Sequence, residues 1–60
     1  MDNIIKEQVI KVRDTSLTNM FNLKNVKFIA QELNLNELAA YISNTGNHKD
    51  YISFIINGND

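Results

Sequence analysis

The stretch that decides the fold is residues 22–43, which read NLKNVKFIAQELNLNELAAYIS. In its first half, apolar residues recur at the three- and four-residue spacing of one helical face. These residues are Val26, Ile29, Ala30 and Leu33. Asn22 precedes them as an N-cap, and Phe21 has the spacing of a hydrophobic staple with Val26. The pattern predicts an amphipathic helix that begins after Asn22.

The second half of the stretch predicts another helix after a tight turn. Asn34 closes the first helix and also stands three residues before Glu37, which is the spacing of a capping box. Apolar residues then recur at helical spacing, together with two small residues that allow a neighbouring helix to come close. They are Leu35, Leu38, Ile42, Ala39 and Ala40. The polar residues 44–47 predict a break after this helix.

Towards the N-terminus, residues 3–13 predict a first helix with Asp2 or Asn3 as its N-cap. Its apolar stripe consists of Ile5, Val9 and Val12, with Ile4 at the margin. Residues 14–19 predict a turn, because short polar side chains compete for backbone hydrogen bonds there. Met20 and Phe21 follow in the connection, where we expect them to fill the core; contact residues for a partner are the alternative.

Towards the C-terminus, residues 48–56 fit either a helix or a strand. Asn47 and Asp50 resemble a cap, and four apolar residues share one helical face: Tyr51, Ile52, Ile55 and Ile56. The run 51–56 is also rich in residues that favour strands. A lone strand would lack a partner, so we expect a helix that ends at Gly58. The fold class predicted is therefore all-α, a compact bundle of three to four short helices forming a single small helical domain over residues 1–60.

Composition excludes several classes of function. The chain has no cysteine and one histidine, His48, so common zinc sites are excluded and we expect no metal or cofactor. Glu32 and Glu37 are close in sequence, but a solvated face and a helix cap explain them better than a catalytic pair does. We expect an exposed imidazole at His48. No arrangement of side chains predicts catalysis, so we expect that the protein is not an enzyme.

The net charge of the chain limits the classes of binding partner, and its hydropathy limits the expected cellular location. The formal net charge is −1, whereas general nucleic-acid and membrane-surface binders carry excess Lys and Arg. No apolar stretch has the length of a signal peptide or a membrane span, so we expect a cytoplasmic protein with no membrane partner. A domain of sixty residues buries a modest core, which makes self-association a further expectation.

A helix-turn-helix over residues 26–43 is the alternative reading, with Ala30 at the helix crossing and a tight turn at residues 34–36. It would make the protein a small DNA-binding transcriptional regulator. Its recognition helix, ELAAYIS at residues 37–43, contains no Arg or Lys and begins with a carboxylate. Readers of the major groove use Arg, Lys, Asn or Gln on an exposed face. Nucleic acid is therefore the less favoured partner.

Two apolar residues face away from the stripes of their helices and suggest a protein-binding surface. Ile10 shares its face with Lys6 and Arg13, and Phe28 is flanked by Lys24 and Gln31. An apolar centre with a cationic or polar rim is typical of small interfaces. For Phe28 we slightly prefer the alternative, in which it packs on another helix of the bundle, and for Ile10 both interpretations stay open. We hypothesise that Ile10, Phe28 and the nearby cations form a docking face or a homodimer contact.

The chain also resembles a family of very short bacteriophage and prophage proteins of Firmicutes, a domain of unknown function. The matching residues are Ile5, Gln8, Val9, Ile10, Val12, Arg13 and Asp14 in an "I-x-x-Q-(V/I)-(I/L)-x-(V/I)-R-D" helix, Thr18 to Phe21 as "T-N-M-F", Ile29 and Ala30, Glu37 and Leu38, and Tyr51, Ile52, Phe54 and Ile55. The match spans nearly the whole chain and is weakest at residues 44–49, which puts the length of the third helix in doubt.

This resemblance implies a phage-encoded accessory protein in the cytoplasm of a bacterial host, and it assigns no activity. The polar residues that it singles out are Arg13, Asp14, Thr18 and Asn19. They either hold the turn after the first helix, which we prefer, or contact a partner. Taken together, the sequence predicts binding to a host or phage protein, with inhibition of a host enzyme or defence complex as one concrete form. The candidate partner-binding residues are Lys6, Ile10, Arg13, Asp14, Thr18, Asn19, Lys24 and Phe28.

Overall fold

The computed structural model describes residues 1–57 and consists of four helices joined by short connections. The helices are α1 (Asn3–Thr15), α2 (Leu23–Glu32), α3 (Asn36–Ser43) and α4 (His48–Asn57), with a 3-10 turn at Thr45–Asn47. No strand occurs in this part of the chain, so the all-α prediction is confirmed, and residues 48–56 form a helix. The predicted end of that helix at Gly58 lies outside the described residues.

Helix α1 begins where the sequence predicted and ends two residues later. Asp2 is its N-cap, and its side chain accepts the backbone N–H of Ile4 at 2.8 Å. The predicted turn at residues 14–19 begins too early, because Asp14 and Thr15 still belong to the helix. The hydroxyl of Thr15 donates to the Val12 carbonyl at 2.6 Å, so this polar side chain bonds within the helix.

Helix α2 begins after Asn22 as predicted, and this side chain accepts the backbone N–H of Asn25 at 3.2 Å. At its other end, Asn34 takes a left-handed conformation with φ 60°. The N–H of Leu35 donates to the Ala30 carbonyl at 2.7 Å, and that of Asn34 donates to the Gln31 carbonyl at 3.1 Å. This pair of bonds is a Schellman motif, which ends α2 and turns the chain towards α3.

The predicted capping box at Asn34 is wrong, because Asn34 is occupied in the Schellman motif. Leu35 is the N-cap of α3, and it makes no side-chain capping bond. A residue of α1 takes over this role. The Oε1 atom of Gln8 accepts the N–H of Leu38 at 2.8 Å, and its Nε2 atom donates to a carboxylate oxygen of Glu37 at 2.8 Å.

The core lies where α3 packs against both α1 and α2, with α4 covering it through long side chains. Its buried apolar residues are Val9, Val12, Val26, Ile29, Ala30, Leu35, Leu38, Ala39, Ile42, Tyr51 and Phe54. Three residues that the sequence placed in apolar stripes or in the core are exposed: Leu33, Phe21 and Ile56. Leu33 is exposed because α2 ends at Glu32 and the chain turns away there.

Helix α4 is held by specific polar bonds as well as by burial. The hydroxyl of the fully buried Tyr51 donates to the Met20 carbonyl at 2.7 Å, which ties α4 to the connection between α1 and α2. The hydroxyl of Tyr41 donates to Asp50, and Asn47 donates to the Tyr41 carbonyl at 3.0 Å. Asn47 and Asp50 therefore hold α3 against α4, and they do not form the predicted cap.

Two further expectations concern burial and membranes. His48 was expected to be exposed; it is half-buried, and its Nε2 atom lies 2.7 Å from the Ile42 carbonyl. Within residues 1–57, no helix has both the length and the apolar character needed to cross a membrane.

Candidate partner-binding surface

A large share of the apolar side chains lies on the surface. The exposed ones are Ile4, Ile10, Leu17, Phe21, Phe28, Leu33 and Ile56. The most exposed aromatic residue among them is Phe28, at 60%. Phe28 therefore does not pack inside the bundle, which was the slightly preferred interpretation, and Ile10, for which both interpretations were open, is 37% exposed. Single exposed apolar residues are ordinary, so their grouping decides whether they form a site.

Phe28 belongs to a groove between α2 and the chain that follows α1. This apolar groove has a volume of about 330 Å³ and is lined by Leu17, Thr18, Asn25, Phe28 and Ile29. Leu17 is 72% exposed, so two of the three large apolar side chains that line the groove remain open to solvent, and Ile29 is buried. A groove with an exposed aromatic and an exposed aliphatic side chain can receive the apolar side chains of another molecule.

A second groove lies on the other side of α2, against α3 and α4. This cationic groove has a volume of about 250 Å³ and is lined by Leu23, Lys24, Lys27, Ile42, Ser43 and His48. Among residues 1–57, its lining contains two ammonium groups and no carboxylate. Within the described part of the chain, neither Lys24 nor Lys27 has a carboxylate oxygen within 4.0 Å.

The two grooves meet along the outward side of α2. Lys24 and Phe28 are four residues apart in this helix, so their side chains lie one above the other on the same face. Lys24 lines the cationic groove and Phe28 lines the apolar groove. We call the two grooves and the ridge between them the α2 surface. Apolar and cationic groups are adjacent on it, as the sequence predicted for Phe28 and Lys24.

Ile10 lies in a different place, between α1 and α4. Its groove is lined by Val9, Ile10, Arg13, Met20, Phe54 and Ile55, and the volume is about 60 Å³. The ammonium group of Lys6 lies 5.9 Å from the centre of the Phe54 ring, which is within the range of a cation–π contact. This groove shares no residue with the α2 surface, so the structure does not bring Ile10 and Phe28 together.

The polar residues that the family resemblance singles out lie in the last turn of α1 and in the turn after it, and they contact one another or the local backbone. The guanidinium of Arg13 lies 3.6 Å from the carboxylate of Asp14, and both side chains are exposed. The side chain of Asn19 accepts the N–H of Phe21 at 2.9 Å, and the hydroxyl of Thr18 lies 3.4 Å from the Asn19 carbonyl. These contacts suit a role in shaping the turn, although Thr18 also lines the apolar groove.

The hairpin of α2 and α3 has the outline of a helix-turn-helix, but the outward side of α3 is poorly suited to DNA. Its exposed residues are Asn36, Glu37, Ala40 and Ser43. No cation is among them, and the carboxylate of Glu37 lies in the first turn. The hydrogen bond from Gln8 is the main cause that lowers the pKa of Glu37, so this negative charge persists to lower pH than usual. A fixed negative charge repels phosphates.

Among residues 1–57, no group of three or more His, Asp or Glu side chains is arranged to hold a metal ion. Glu32 and Glu37 lie on different helices. Glu37 bonds to Gln8, and the structure gives the side chain of Glu32 no hydrogen bond or ion pair with any described residue.

The family model described as Domain of unknown function (DUF5049) matches residues 1–59. The chain belongs to this family. No curated protein and no solved structure shows a significant match to the chain. The resemblance to a domain of unknown function is thus confirmed at the level of the family, and the family's description assigns no activity.

Sequence reasoning missed three residues of this DUF5049 chain that the structure makes important. Leu17 and Lys27 line the two grooves of the α2 surface, and Gln8 caps α3. Leu17 had a detectable signal, because it is the one large apolar residue within the predicted polar turn 14–19. Lys27 follows Lys24 at i+3, so the helical spacing placed both on adjoining faces. Gln8 stood out only as a residue of the family pattern, and nothing in the sequence indicated its capping role, since its partners lie about thirty residues away.

Proposed function

We propose that this DUF5049 chain is a phage-type accessory protein that acts by binding a protein partner through the α2 surface, and not by catalysis. The observation that carries the proposal is the exposure of Phe28 and Leu17, 60% and 72%, beside one groove. Burying exposed apolar area contributes about 25 cal/mol per Å², so an aromatic side chain in this position is a strong candidate for a binding hot spot.

The relative volumes of the grooves support this choice of surface. The α2 surface contains grooves of about 250 and 330 Å³, whereas the groove beside Ile10 measures about 60 Å³. Room for a partner's side chains therefore lies beside α2. We further propose that the chain derives from a phage or prophage of Firmicutes, acts in the host cytoplasm, and inhibits or modulates a host or phage macromolecule.

A crosslinking pull-down from Firmicute lysate, read by mass spectrometry, tests the proposal with the full chain as bait. Three baits are compared: the wild type, Phe28→Asp, and Ile56→Asp. Ile56 is a matched control because it is 68% exposed but lines none of the three grooves. We expect a protein that the wild type and Ile56→Asp capture and Phe28→Asp loses. Equal capture by all three, or nothing above background, contradicts the proposal.

The partner could also be a second copy of the chain, as the small core suggested. Light scattering on the wild type, Phe28→Asp and Ile10→Asp separates the cases. A dimer that only Phe28→Asp dissociates places the homodimer contact on the α2 surface. A dimer that only Ile10→Asp dissociates places it between α1 and α4 and contradicts the surface proposed here.

DNA binding by the α2 and α3 hairpin is the alternative function. Only the outline of the two helices favours it, since the exposed side of α3 offers a carboxylate and no cation. A gel shift with random duplex DNA at low salt discriminates the two functions. Tight binding to the duplex would favour the regulator over the protein-binding module.

A further inference from the structure

The cationic groove has a composition that specifies the chemistry of its occupant. Lys24 and Lys27 stand on one wall, and the half-buried imidazole of His48 stands on another. Leu23 and Ile42 provide apolar lining between them. A ligand that fills this groove meets positive charge at the rim and apolar surface inside, so it should carry both carboxylates and apolar groups.

Asp50 of α4 and Glu32 of α2 belong to helices that form this groove, but neither lines it. Asp50, two residues after His48, accepts the hydroxyl of Tyr41 and lies 3.9 Å from the N-terminal amino group. Glu32 is the carboxylate that α2 itself carries, and it is absent from the lining of the groove. The two lysines therefore present unbalanced positive charge on a chain whose formal net charge is −1.

We propose that the cationic groove binds an acidic segment of the protein partner while Phe28 and Leu17 bind an adjacent apolar part of it. This inference rests on the proposed function and adds the chemical class of the partner: a peptide segment in which Asp or Glu stands next to large apolar residues. The positive charges of Lys24 and Lys27 favour an acidic segment in the cationic groove. Because the two grooves meet along one ridge of α2, the partner contacts both grooves at the same time.

A protein segment fits these observations better than a nucleic acid does. A nucleic acid requires a row of cations that follows its phosphates, whereas only two lysines line this groove. Beside them, the apolar groove offers exposed aromatic and aliphatic side chains that suit a peptide. Nucleic-acid binding is therefore an outcome that the test must detect.

Selection of displayed random peptides on the full-length protein tests the inference. We expect enrichment of peptides that combine Asp or Glu with large apolar residues. Synthetic versions of the enriched peptides, with every carboxylate replaced by its amide, should bind about tenfold more weakly, as expected for the loss of two surface ion pairs. Their affinity should also fall as salt rises, because the groove is open to solvent.

Variants locate the binding site. Lys24→Glu and Lys27→Glu should each weaken binding of the acidic peptides several-fold. Lys11→Glu makes the same change in net charge on an exposed residue of α1 outside the three grooves, and it should leave binding near the wild-type value. Equal loss in all three variants would show a general charge effect and overturn the inference.

The remaining outcomes separate this inference from the proposed function. Enrichment of neutral or basic peptides that Phe28→Asp no longer binds would contradict the inference of an acidic segment. It would still agree with the proposal that a partner binds through the α2 surface. Absence of any enrichment over bare beads would contradict both. Binding of random duplex DNA that Lys24→Glu abolishes and Lys11→Glu retains would assign the groove to nucleic acid instead.

Discussion

Gln8 of α1 caps α3 by accepting the backbone N–H of Leu38 at 2.8 Å. The same side chain donates to the carboxylate of Glu37 at 2.8 Å, so one amide satisfies two groups in the first turn of α3. Both Gln8 and Leu38 are buried. The bond thus does the work of a local N-cap through a tertiary contact, and it fixes the relative position of two helices that are distant in sequence.

We expect Gln8→Ala to destabilise the fold by about 1–3 kcal/mol, because the buried N–H of Leu38 loses its partner. Urea unfolding monitored by circular dichroism measures the effect. Glu37→Gln is the matched control, since its amide oxygen can still accept from Gln8 Nε2, and the N–H of Leu38 keeps its acceptor. Equal loss of stability in both variants would show that the charge of Glu37, and not the cap, is the important element.

The hydrogen bond from Gln8 to Glu37 predicts how the pKa of Glu37 changes when Gln8 is replaced. Its pKa is lowered mainly by the hydrogen bond from Gln8, with a smaller contribution from its own backbone N–H. Because the pKa is lower in the folded state, ionised Glu37 stabilises the fold at pH values above the ordinary pKa of Glu. This stabilisation is lost as the pH falls through the pKa of the folded state. We expect Gln8→Ala to raise the pKa of Glu37 towards its ordinary value, as measured by NMR titration. An unchanged pKa would contradict this origin.

Stability should fall at alkaline pH through two tyrosines. Burial raises the pKa of Tyr51 to about 12, and burial together with Asp50 raises that of Tyr41 to about 12. Because both values are raised, the stabilisation is complete below pH 10.0, the ordinary value, and is lost as pH rises towards 12. If Tyr51 ionises only on unfolding, it contributes about 1.4 kcal/mol per pH unit, and the more exposed Tyr41 contributes less because solvent screens its interactions.

Tyr51→Phe tests the larger share of this effect. It should cost about 1 kcal/mol at neutral pH, because the Met20 carbonyl loses its donor, and it should flatten the loss of stability above pH 10.0. Urea unfolding at several alkaline pH values measures both quantities. A pH dependence as steep as that of the wild type would show that Tyr51 is not responsible.

The left-handed residue Asn34 should respond to substitution in a characteristic order. Its φ of 60° costs an alanine about 1 kcal/mol, since a Cβ clashes in this region, whereas glycine adopts it freely. We therefore expect Asn34→Ala to lower the thermal midpoint and Asn34→Gly to preserve or raise it. Equal effects of the two variants would mean that the Schellman turn is not kept in solution.

Surface and core substitutions should differ sharply in their effect on stability. Phe28→Ala should change the free energy of unfolding by about 0.5 kcal/mol or less, because the ring is 60% exposed. Leu38→Ala should cost about 2–5 kcal/mol, because this side chain is fully buried at the centre of the core. Chemical unfolding of both variants checks the order, and a large loss with Phe28→Ala would place the ring in the core.

The elements that the sequence predicted well are those with local causes. Asp2 and Asn22 cap their own helices, and the stripe of Val26, Ile29 and Ala30 is buried as its spacing required. These features depend on neighbours three or four residues away, which periodicity and capping rules describe directly. The position of Phe28 opposite the apolar stripe of its helix was also local information, but it left open whether another helix covers the ring.

The elements that the sequence could not predict depend on tertiary contacts. Asn34 had the spacing of a capping box. In the structure Asn34 instead takes a left-handed conformation in the turn, and the side chain of Gln8 caps α3. The positions of Ile10 and Phe28 within their helices each allowed surface exposure. Spacing within two separate helices cannot show whether the two exposed faces point in the same direction. The cationic groove likewise joins residues of three helices, so it becomes visible only when the helices are packed.

Tyr51 carries a further consequence for the dynamics of the domain. The backbone of α4 approaches the other helices less closely than they approach one another, so α4 is attached through its side chains, of which Tyr51 and Phe54 are buried in the core. These two rings are also a large part of the core, which contains eleven apolar residues of the described range 1–57. Detachment of α4 would therefore expose the interior to water. Amide protons of α4 and α1 should exchange with deuterium through one shared opening event, as a single cooperative unit.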